Sequence, residues 1–498
     1  VIEKGRSSVA FSAVVEQQRM AMLEAERFVT CARLVLLAVA LAAAPAGAAP
    51  FMAGADISSL LVHEDHGAVY RDNGQIGDAI EVLSDHGTNY FRLRLFVNPQ
   101  FQNNYSGGPD PFVAQDLDYT IALAQRIKQA GGKVLLDFHY SDTWADPSHQ
   151  WKPDAWRSLA TRAELEQQVY DYTKQSIEAF KAAGVLPGMV QIGNEIAAGS
   201  LWNGEYVSTV NETTVGGPNS GYLWSGGTND VGFDRLAALL SKGIQGARDG
   251  AGPGEEPLVM IHHDQGSKWN TTSYYFDRLL PRLQANGADP DVLGYSYYPI
   301  YHTGGIAAVQ QNLANSVDAY GKPVVIAEAG FPSRVSQFSE DPPEVNLGFE
   351  ISEAGQQAYL QALVDTLQDL PNEKGMGVFW WYAEARPTSG LNVWKNGRYS
   401  LFDQNGNLND AAAVFEQFLP APGDFNRDGF VDASDYTAWR DGFGTLYDED
   451  DYAEWKANFG AGGSAGASPS HLAVPEPTWF ALPLIGVVLS ASCSRAFR

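Results

Sequence analysis

The chain has 498 residues, a formal net charge of −26 and 45% hydrophobic residues. That length exceeds one ordinary domain, although a large α/β barrel would use most of it. So acidic a chain lacks the basic footprint that nucleic acid or an anionic lipid surface requires, and it leaves a neutral polymer open as a partner. Its 12 Trp and 22 Tyr suit stacking on sugars and, equally, core packing.

At the N-terminus Arg33 precedes the apolar run Leu34–Leu41, followed by Ala-rich sequence ending Ala-Gly-Ala-Ala-Pro at 46–50. A basic residue, a short apolar stretch and a small-residue cleavage zone make 1–50 an expected export region. A membrane anchor is the alternative, and the run is short for one. Residues 1–19 have no part in such a signal, so Met20 or Met22 is the expected start. The only cysteines, Cys31 and Cys493, fall in segments expected to be removed. The mature protein then relies on its core rather than on a disulfide.

From about 51 to 419, strand-like runs alternate with helix-like stretches. The runs are Phe51–Ile57, Tyr90–Phe96, Lys133–Tyr140, Met189–Glu195, Leu258–Asp264, Val292–Tyr298, Pro323–Ala329 and Gly377–Tyr382. Between the second and third, 118–130 has apolar residues at helical spacing, stopped by Gly131-Gly132. Eight such units predict a (β/α)8 TIM barrel, an α/β fold. An open doubly wound sheet is the alternative, but no Gly-rich phosphate loop follows the first run.

The C-terminal ends of these runs carry the chemistry. They give Arg92 and Arg94, then Asp137-Phe138-His139-Tyr140 with Trp144 beyond. Asn194-Glu195, His262-His263-Asp264, Tyr297-Tyr298, Glu328 and Trp380-Trp381 follow. A barrel enzyme keeps its site at this end. Glu195 and Glu328 each close an apolar run, and two acids at one mouth can cleave a glycosidic bond. Glu195 must then hold a proton for the leaving oxygen, and Glu328 must be ionised to attack the anomeric carbon. Arg92 beside Glu328 would keep it charged, while that charge and burial would raise Glu195. Asp137, His139, His262 and His263 are candidates for sugar hydroxyls. The same cluster could hold zinc, but no His-Glu-x-x-His spacing is present, and no cofactor is expected for catalysis.

These stretches resemble glycoside hydrolase family 53, the endo-β-1,4-galactanases. The most specific match runs from Asp137 to Pro147. Asn98-Pro99, Ile192–Ile196 and Ala198–Trp202 are also close. The resemblance covers nearly all of 51–419. It implies that Glu195 is the acid/base and Glu328 the nucleophile of a retaining hydrolase. It further implies that Asn194 bonds the sugar 2-hydroxyl, and that Arg92 and Tyr298 support the nucleophile. Trp381 matches an aromatic of the wider clan, and Trp144 and Asp264 join the expected substrate-binding set. Three positions depart. The family commonly has Tyr-Trp-Glu where this chain has Trp380-Trp381-Tyr382, a Thr where it has Ala329, and a different surrounding for its second arginine, here Arg92-Leu93-Arg94.

After the barrel, 424–435 reads Asp-Phe-Asn-Arg-Asp-Gly-Phe-Val-Asp-Ala-Ser-Asp. Asp424, Asn426, Asp428, Asp432 and Asp435, with Phe430 supplying its carbonyl, fall at calcium-loop positions, and Gly429 makes the turn. The segment 423–460 resembles a dockerin repeat, which implies bound Ca2+ and a cohesin-like or cell-surface partner. A second copy around Asp448–Trp455 repeats Tyr-x-x-Trp but lacks the loop's first half. An acidic solvated linker is the alternative.

The Gly/Ala/Ser-rich 461–473 reads as a linker. In 474–498, Val-Pro-Glu-Pro, an apolar run and a basic tip resemble a PEP-CTERM sorting tail. That implies transient residence in the membrane and a protein at or beyond the cell surface. The expected function is an exported endo-β-1,4-galactanase acting on type I arabinogalactan. A retaining glycanase for mannan or β-glucan is one rival. A carbohydrate-binding surface protein whose barrel has lost catalysis is another.

Overall fold

The computed structural model describes residues 51–99, 110–203, 215–217, 219–223, 229–336, 348–426, 429–444 and 447–461. The export region, the sorting tail, nearly all of the linker and Asp428 lie outside the described residues. Two compact units result, one spanning Pro50–Leu419 and one beginning at Pro420. Among the described residues, no helix is long and apolar enough to cross a membrane.

The first unit is a closed barrel of eight parallel strands: β1 Met52–Asp56, β2 Tyr90–Leu95, β3 Lys133–Phe138, β4 Met189–Ile192, β5 Leu258–His263, β6 Val292–Tyr297, β7 Val324–Ala329 and β8 Gly375–Trp380. Each strand pairs with its predecessor, and β8 returns to β1. The crossover helices are α1 Ala79–Asp85, α2 Leu117–Gln129, α3 Arg162–Ala182, α4 Asn229–Ala251, α5 Trp269–Ala285, α6 Gly305–Tyr320 and α7 Glu353–Gln368. A 3-10 segment, Asp410–Phe418, packs on α7. Helix α2 shows how locally this is encoded. Asp116 caps Tyr119 N–H, Leu123, Ala124 and Ile127 form the buried face, and Gly131 at φ 75° ends it.

All eight sequence-predicted runs are strands, but several stop short of the expected acid or aromatic. The fourth ends at Ile192 rather than Glu195, the third at Phe138 and the eighth at Trp380. The residues beyond turn into left-handed backbone, with φ of 49° at Tyr140, 47° at Glu195 and 59° at Tyr382. A side-bearing residue held there costs about 1–2 kcal/mol, a strain typical of functional sites.

Period-two alternation sorts each strand. On β2, Phe91, Leu93 and Leu95 pack outward under the helices. Tyr90, at the start of β2, joins an apolar floor inside the barrel with Met52, Leu135, Met189, Met260, Val292, Val325 and Phe379. Gly54 makes room for that floor, since a Cβ there would sit 2.3 Å from the Phe379 ring. Further along the strands the buried inward side chains are polar: Arg92, Asp137, Gln191 and His262 one period on, and Ser296 two periods on. The site therefore rests on a dry plug.

The second unit contains α8 Ala433–Gly442 and α9 Glu449–Asn458. Each starts with an Asp capping box, Asp432 with Asp435 and Asp448 with Asp451. The two halves are tied reciprocally. Trp439 Nε1 donates to Asp448 O at 2.7 Å, and Trp455 Nε1 donates to Asp432 O at 2.8 Å. The repeat seen in the sequence is thus a repeat in the hydrogen bonding.

Candidate active site

Glu328 owes its direction to a bulge. Tyr295 pairs with Ile326, but the next residue, Ser296, pairs with Glu328. Ala327 is the extra residue on β7. Without it, strict alternation would turn Glu328 away from the interior that Ala327 faces. Glu195 reaches the same space from the turn after β4, where Gly193 at φ 87° and Glu195 itself bend the chain.

Arg92 is fully buried and gathers three acids. Its Nη1 lies 2.9 Å from Asp56, and its Nη2 lies 2.8 Å from Asp137 and 3.0 Å from Glu328 Oε1. Burial alone would weaken its charge, but Asp137, Glu328 and Asp56 hold its pKa above the ordinary value. Asp137 shows the reverse balance. Burial pushes it up, and Arg92 and His139 bring it below the ordinary carboxylate value. Tyr298 donates its hydroxyl to Glu328 Oε2 at 2.8 Å and stays protonated, because burial and the Glu328 charge raise it well above 10.

Burial lifts Glu328 to about 7, against the pull of Arg92 and the Tyr298 hydroxyl. Glu195 is raised well above the ordinary value. Burial comes first, then the charges of Glu328 and Asp264, with the Ser296 hydroxyl opposing. Burial disfavours the charged form of both, and Glu328 has the Arg92 cation beside it to oppose that. A single oxygen of each, together with a ring nitrogen of His262, lies within 4.8 Å of the others. That spacing would suit a cation, but both His262 nitrogens already hold hydrogen bonds, to Ser296 and to the Asn194–Gln191 side.

The acids open into a cleft of about 910 Å³. His139, Trp144, Asn194, Asp264, Tyr298 and Trp381 line it as expected, with Asp146, Gln265, Tyr301 and Trp394 in addition. Three expectations need correction. His263 is buried and packs against Tyr275 and Phe276, outside the cleft lining. Asp137 and His262 are fully buried below the cleft surface. Asp137 is consumed by Arg92, His139 and Gln191, and His262 stands behind Glu195 and Ser296. Neither reaches a sugar.

The profile of glycosyl hydrolase family 53 matches residues 52–415. A probable arabinogalactan endo-β-1,4-galactanase A of Aspergillus terreus is 36% identical over 341 residues, 68% of this chain and 87% of the relative. The arabinogalactan endo-β-1,4-galactanase A of Aspergillus niger is 33% identical over 330 residues, 66% of this chain and 83% of the relative. Among solved structures, the Ignisphaera aggregans GH53 catalytic domain superposes with a TM-score of 0.62 at 28% identity, covering 74% of this chain and 96% of that one. The chain belongs to glycosyl hydrolase family 53. It is a glycoside hydrolase.

Its departures from the family 53 pattern have a local logic. Tyr382 stands where the sequence resemblance leads to an expectation of Glu, and its ring lies 5.0 Å from the Arg94 guanidinium, with Trp144 at 4.4 Å. Trp381 stacks on Tyr382 at 4.0 Å. Arg94 is thus held by aromatic faces. A carboxylate returns two residues later as Glu384, fully buried, whose Oε1 accepts Ser59 N–H at 2.8 Å and whose Oε2 has no hydrogen bond among the described residues. Burial and Asp56 raise Glu384 to about 8. Sequence reading missed Glu384, Asp56, Gln191 and Ser296. The inward period of the strands would have pointed to Gln191, one period after Met189, and to Ser296, two periods after Val292. Nothing in the sequence pattern marks Glu384.

In the second unit, Asp424 and Asp435 are buried. Asp424 accepts Gly429 N–H at 2.9 Å, and Asp435 accepts the N–H groups of Asn426 and Asp432 at 3.0 and 2.8 Å. Asp432 is exposed and caps α8 through Ser434 N–H. Asn426 and Phe430 are partly buried beside them.

Proposed function

We propose that this chain is an exported, retaining endo-β-1,4-galactanase that cuts the β-1,4-galactan of type I arabinogalactan. The observation that carries the reading is the carboxyl pair. Oxygens of Glu195 and Glu328 lie within 4.8 Å, and retaining enzymes place their carboxyl groups about 5–5.5 Å apart, whereas inverting ones leave room for a water at roughly 6.5–9.5 Å. Glu195 gives its proton to the leaving oxygen as Glu328 Oε1 or Oε2 bonds the anomeric carbon. Glu195 then takes a proton from the water that releases the glycosyl group. Asn194 is held with Oδ1 on Arg92 and Nδ2 on Ala145 O, which leaves its second amide hydrogen for the sugar 2-hydroxyl. The relatives' names support galactan as the substrate.

The test is digestion of galactan, mannan and β-glucan by the full chain, with the first-formed anomer read by NMR. Galactan oligosaccharides released as the β-anomer support the proposal. Preference for mannan or β-glucan, an initial α-anomer, or no sugar release defeats it. Calcium in the 424–435 loop, a docking partner for 423–460 and surface sorting by 474–498 belong to the same proposal and rest on their motifs.

A further inference from the structure

The two carboxyl oxygens of Glu195 are not equivalent. Oε1 accepts the hydroxyl proton of Ser296, while Oε2 has no hydrogen-bond partner among the described residues and belongs to a side chain that lines the cleft. Behind Ser296, His262 Nε2 lies 2.9 Å from Oγ. The other ring nitrogen, Nδ1, faces the backbone N–H of Glu195 at 3.4 Å, Gln191 Nε2 at 3.1 Å and Asn194 Oδ1 at 3.0 Å.

The tautomer of His262 follows from what can turn and what cannot. A guanidinium only donates, so Arg92 fixes Gln191 Oε1 at 3.2 Å and Asn194 Oδ1 at 2.7 Å as acceptors. Asn194 Oδ1 also receives Gln191 Nε2 at 2.9 Å, which fills both of its lone pairs. It needs no proton from His262. The Glu195 backbone N–H points at Nδ1 and cannot be rotated away. Nδ1 is therefore the acceptor, and the ring's proton sits on Nε2. Nε2–H then donates to Ser296 Oγ, so the one proton of Ser296 is free to go only to Glu195 Oε1.

We infer that His262 and Ser296 are positioning residues that form a one-way hydrogen-bond chain and confine the acid proton of Glu195 to Oε2, the oxygen left for the glycosidic bond. With the opposite tautomer, Ser296 would donate to His262 and accept the carboxyl proton on the far side from the substrate. Arg92 thus orders both catalytic acids, Glu328 directly and Glu195 through the amides that set the imidazole. This rests on the double-displacement reading of Glu195 as acid/base.

The experiment compares full-chain wild type, Ser296→Ala and Ser296→Thr on galactan and on 2,4-dinitrophenyl β-galactobioside, whose leaving group departs without a proton. For Ser296→Ala, kcat/KM on galactan should fall at least tenfold, and on the aryl glycoside less than threefold. The alkaline limb on galactan should move to higher pH, because a hydrogen bond to the ionised carboxyl is lost. Ser296→Thr should restore galactan turnover to within threefold. The retained aryl activity shows that the variant is folded. Equal losses on both substrates with an unmoved alkaline limb, or galactan turnover within twofold of wild type, would overturn the inference. A wild type that fails on galactan, or yields the α-anomer, would instead defeat the functional reading beneath it.

Discussion

The two halves of the cleft floor handle a buried carboxyl in opposite ways. Around Glu328 the neighbours are charged or held as donors: Arg92, Asp137 and the Tyr298 hydroxyl. Around Glu195 the hydrogen-bonded neighbour is neutral Ser296, with His262 behind it, which burial and Arg92 keep well below its ordinary pKa, and the charges that act on it, Glu328 and Asp264, are negative. A buried carboxylate survives beside a fixed cation, and a buried carboxylic acid survives where its neighbours are neutral or negative. On the proposed double-displacement mechanism, these surroundings would make the same chemical group the nucleophile in one place and the acid in the other.

The strongest way to break this contrast is Glu328→Gln. An amide beside Arg92 keeps the volume and a carbonyl acceptor but cannot form a glycosyl-enzyme bond. Turnover of galactan should fall below a few per cent of wild type while substrate binding persists. Activity above that level would remove Glu328 from its role.

On the other side, Glu195→Ala should cost about 10²–10⁴-fold on galactan. Azide should restore turnover of a substrate with a good leaving group, since that first step needs no acid and azide replaces the activated water. A β-linked azide product fits two inversions at the anomeric carbon, and an α-linked one contradicts them.

The pH profile sharpens the contrast without a mutation. Glu328 must lose its proton and Glu195 must keep one. With Glu328 raised to about 7 and Glu195 raised well above its ordinary value, galactan turnover should fall as pH drops below neutral and fall again on the alkaline side. Tyr298→Phe removes a donor from the ionised form of Glu328 and should move the acid limb upward. Its kcat/KM should fall by about tenfold, as expected for losing one hydrogen bond to a charged group worth roughly 1.5 kcal/mol or more. An unmoved acid limb would detach that limb from Glu328.

How much of this contrast the sequence revealed depended on what kind of feature was being read. The eight strands were legible because buried strands are continuous apolar runs, and Arg92 with the two glutamates was legible because ionisable groups end those runs. The bulge at Ala327 was not. It adds one residue to one strand, and no residue type announces it. Asp137 and His262 were misplaced for a related reason: a strand end can turn a polar side chain into the cleft or beneath it, and composition does not tell which. Glu384 lies past the last strand, where no periodicity constrains it.

Glu384 extends the comparison to stability. It is a buried acid raised to about 8, against 4.5 for the ordinary group. Below pH 4.5 the folded and unfolded chains both hold its proton. Between there and about 8 only the folded chain does, so stability falls as pH rises through that window and is flat above it. Glu384→Gln removes the titration. Its melting temperature should exceed that of wild type by roughly 2–5 °C at pH 9, with the gain vanishing near pH 4.5. An equal gain at both pH values would mean packing, not ionisation, is at work.

The smallest effect on catalysis concerns acids that have a different remedy. In the second unit Asp424 and Asp435 are buried, and their shown hydrogen bonds come from backbone N–H groups of Asn426, Gly429 and Asp432. Amides satisfy some lone pairs but do not neutralise a buried carboxylate. A divalent cation does, and the Asp-x-Asn-x-Asp-Gly spacing brings oxygens to it. The second half of the unit starts its helix with the Asp448–Asp451 capping box, and its sequence lacks the Asp-x-Asn-x-Asp-Gly half. Calorimetric titration of the full chain should therefore find about one tight Ca2+ site, abolished by Asp424→Ala. Galactan turnover should stay within twofold whether calcium or chelator is present, because the barrel's acids already have Arg92. Two equal sites, or turnover lost with chelator, would show that the two units do not solve their charge problems separately.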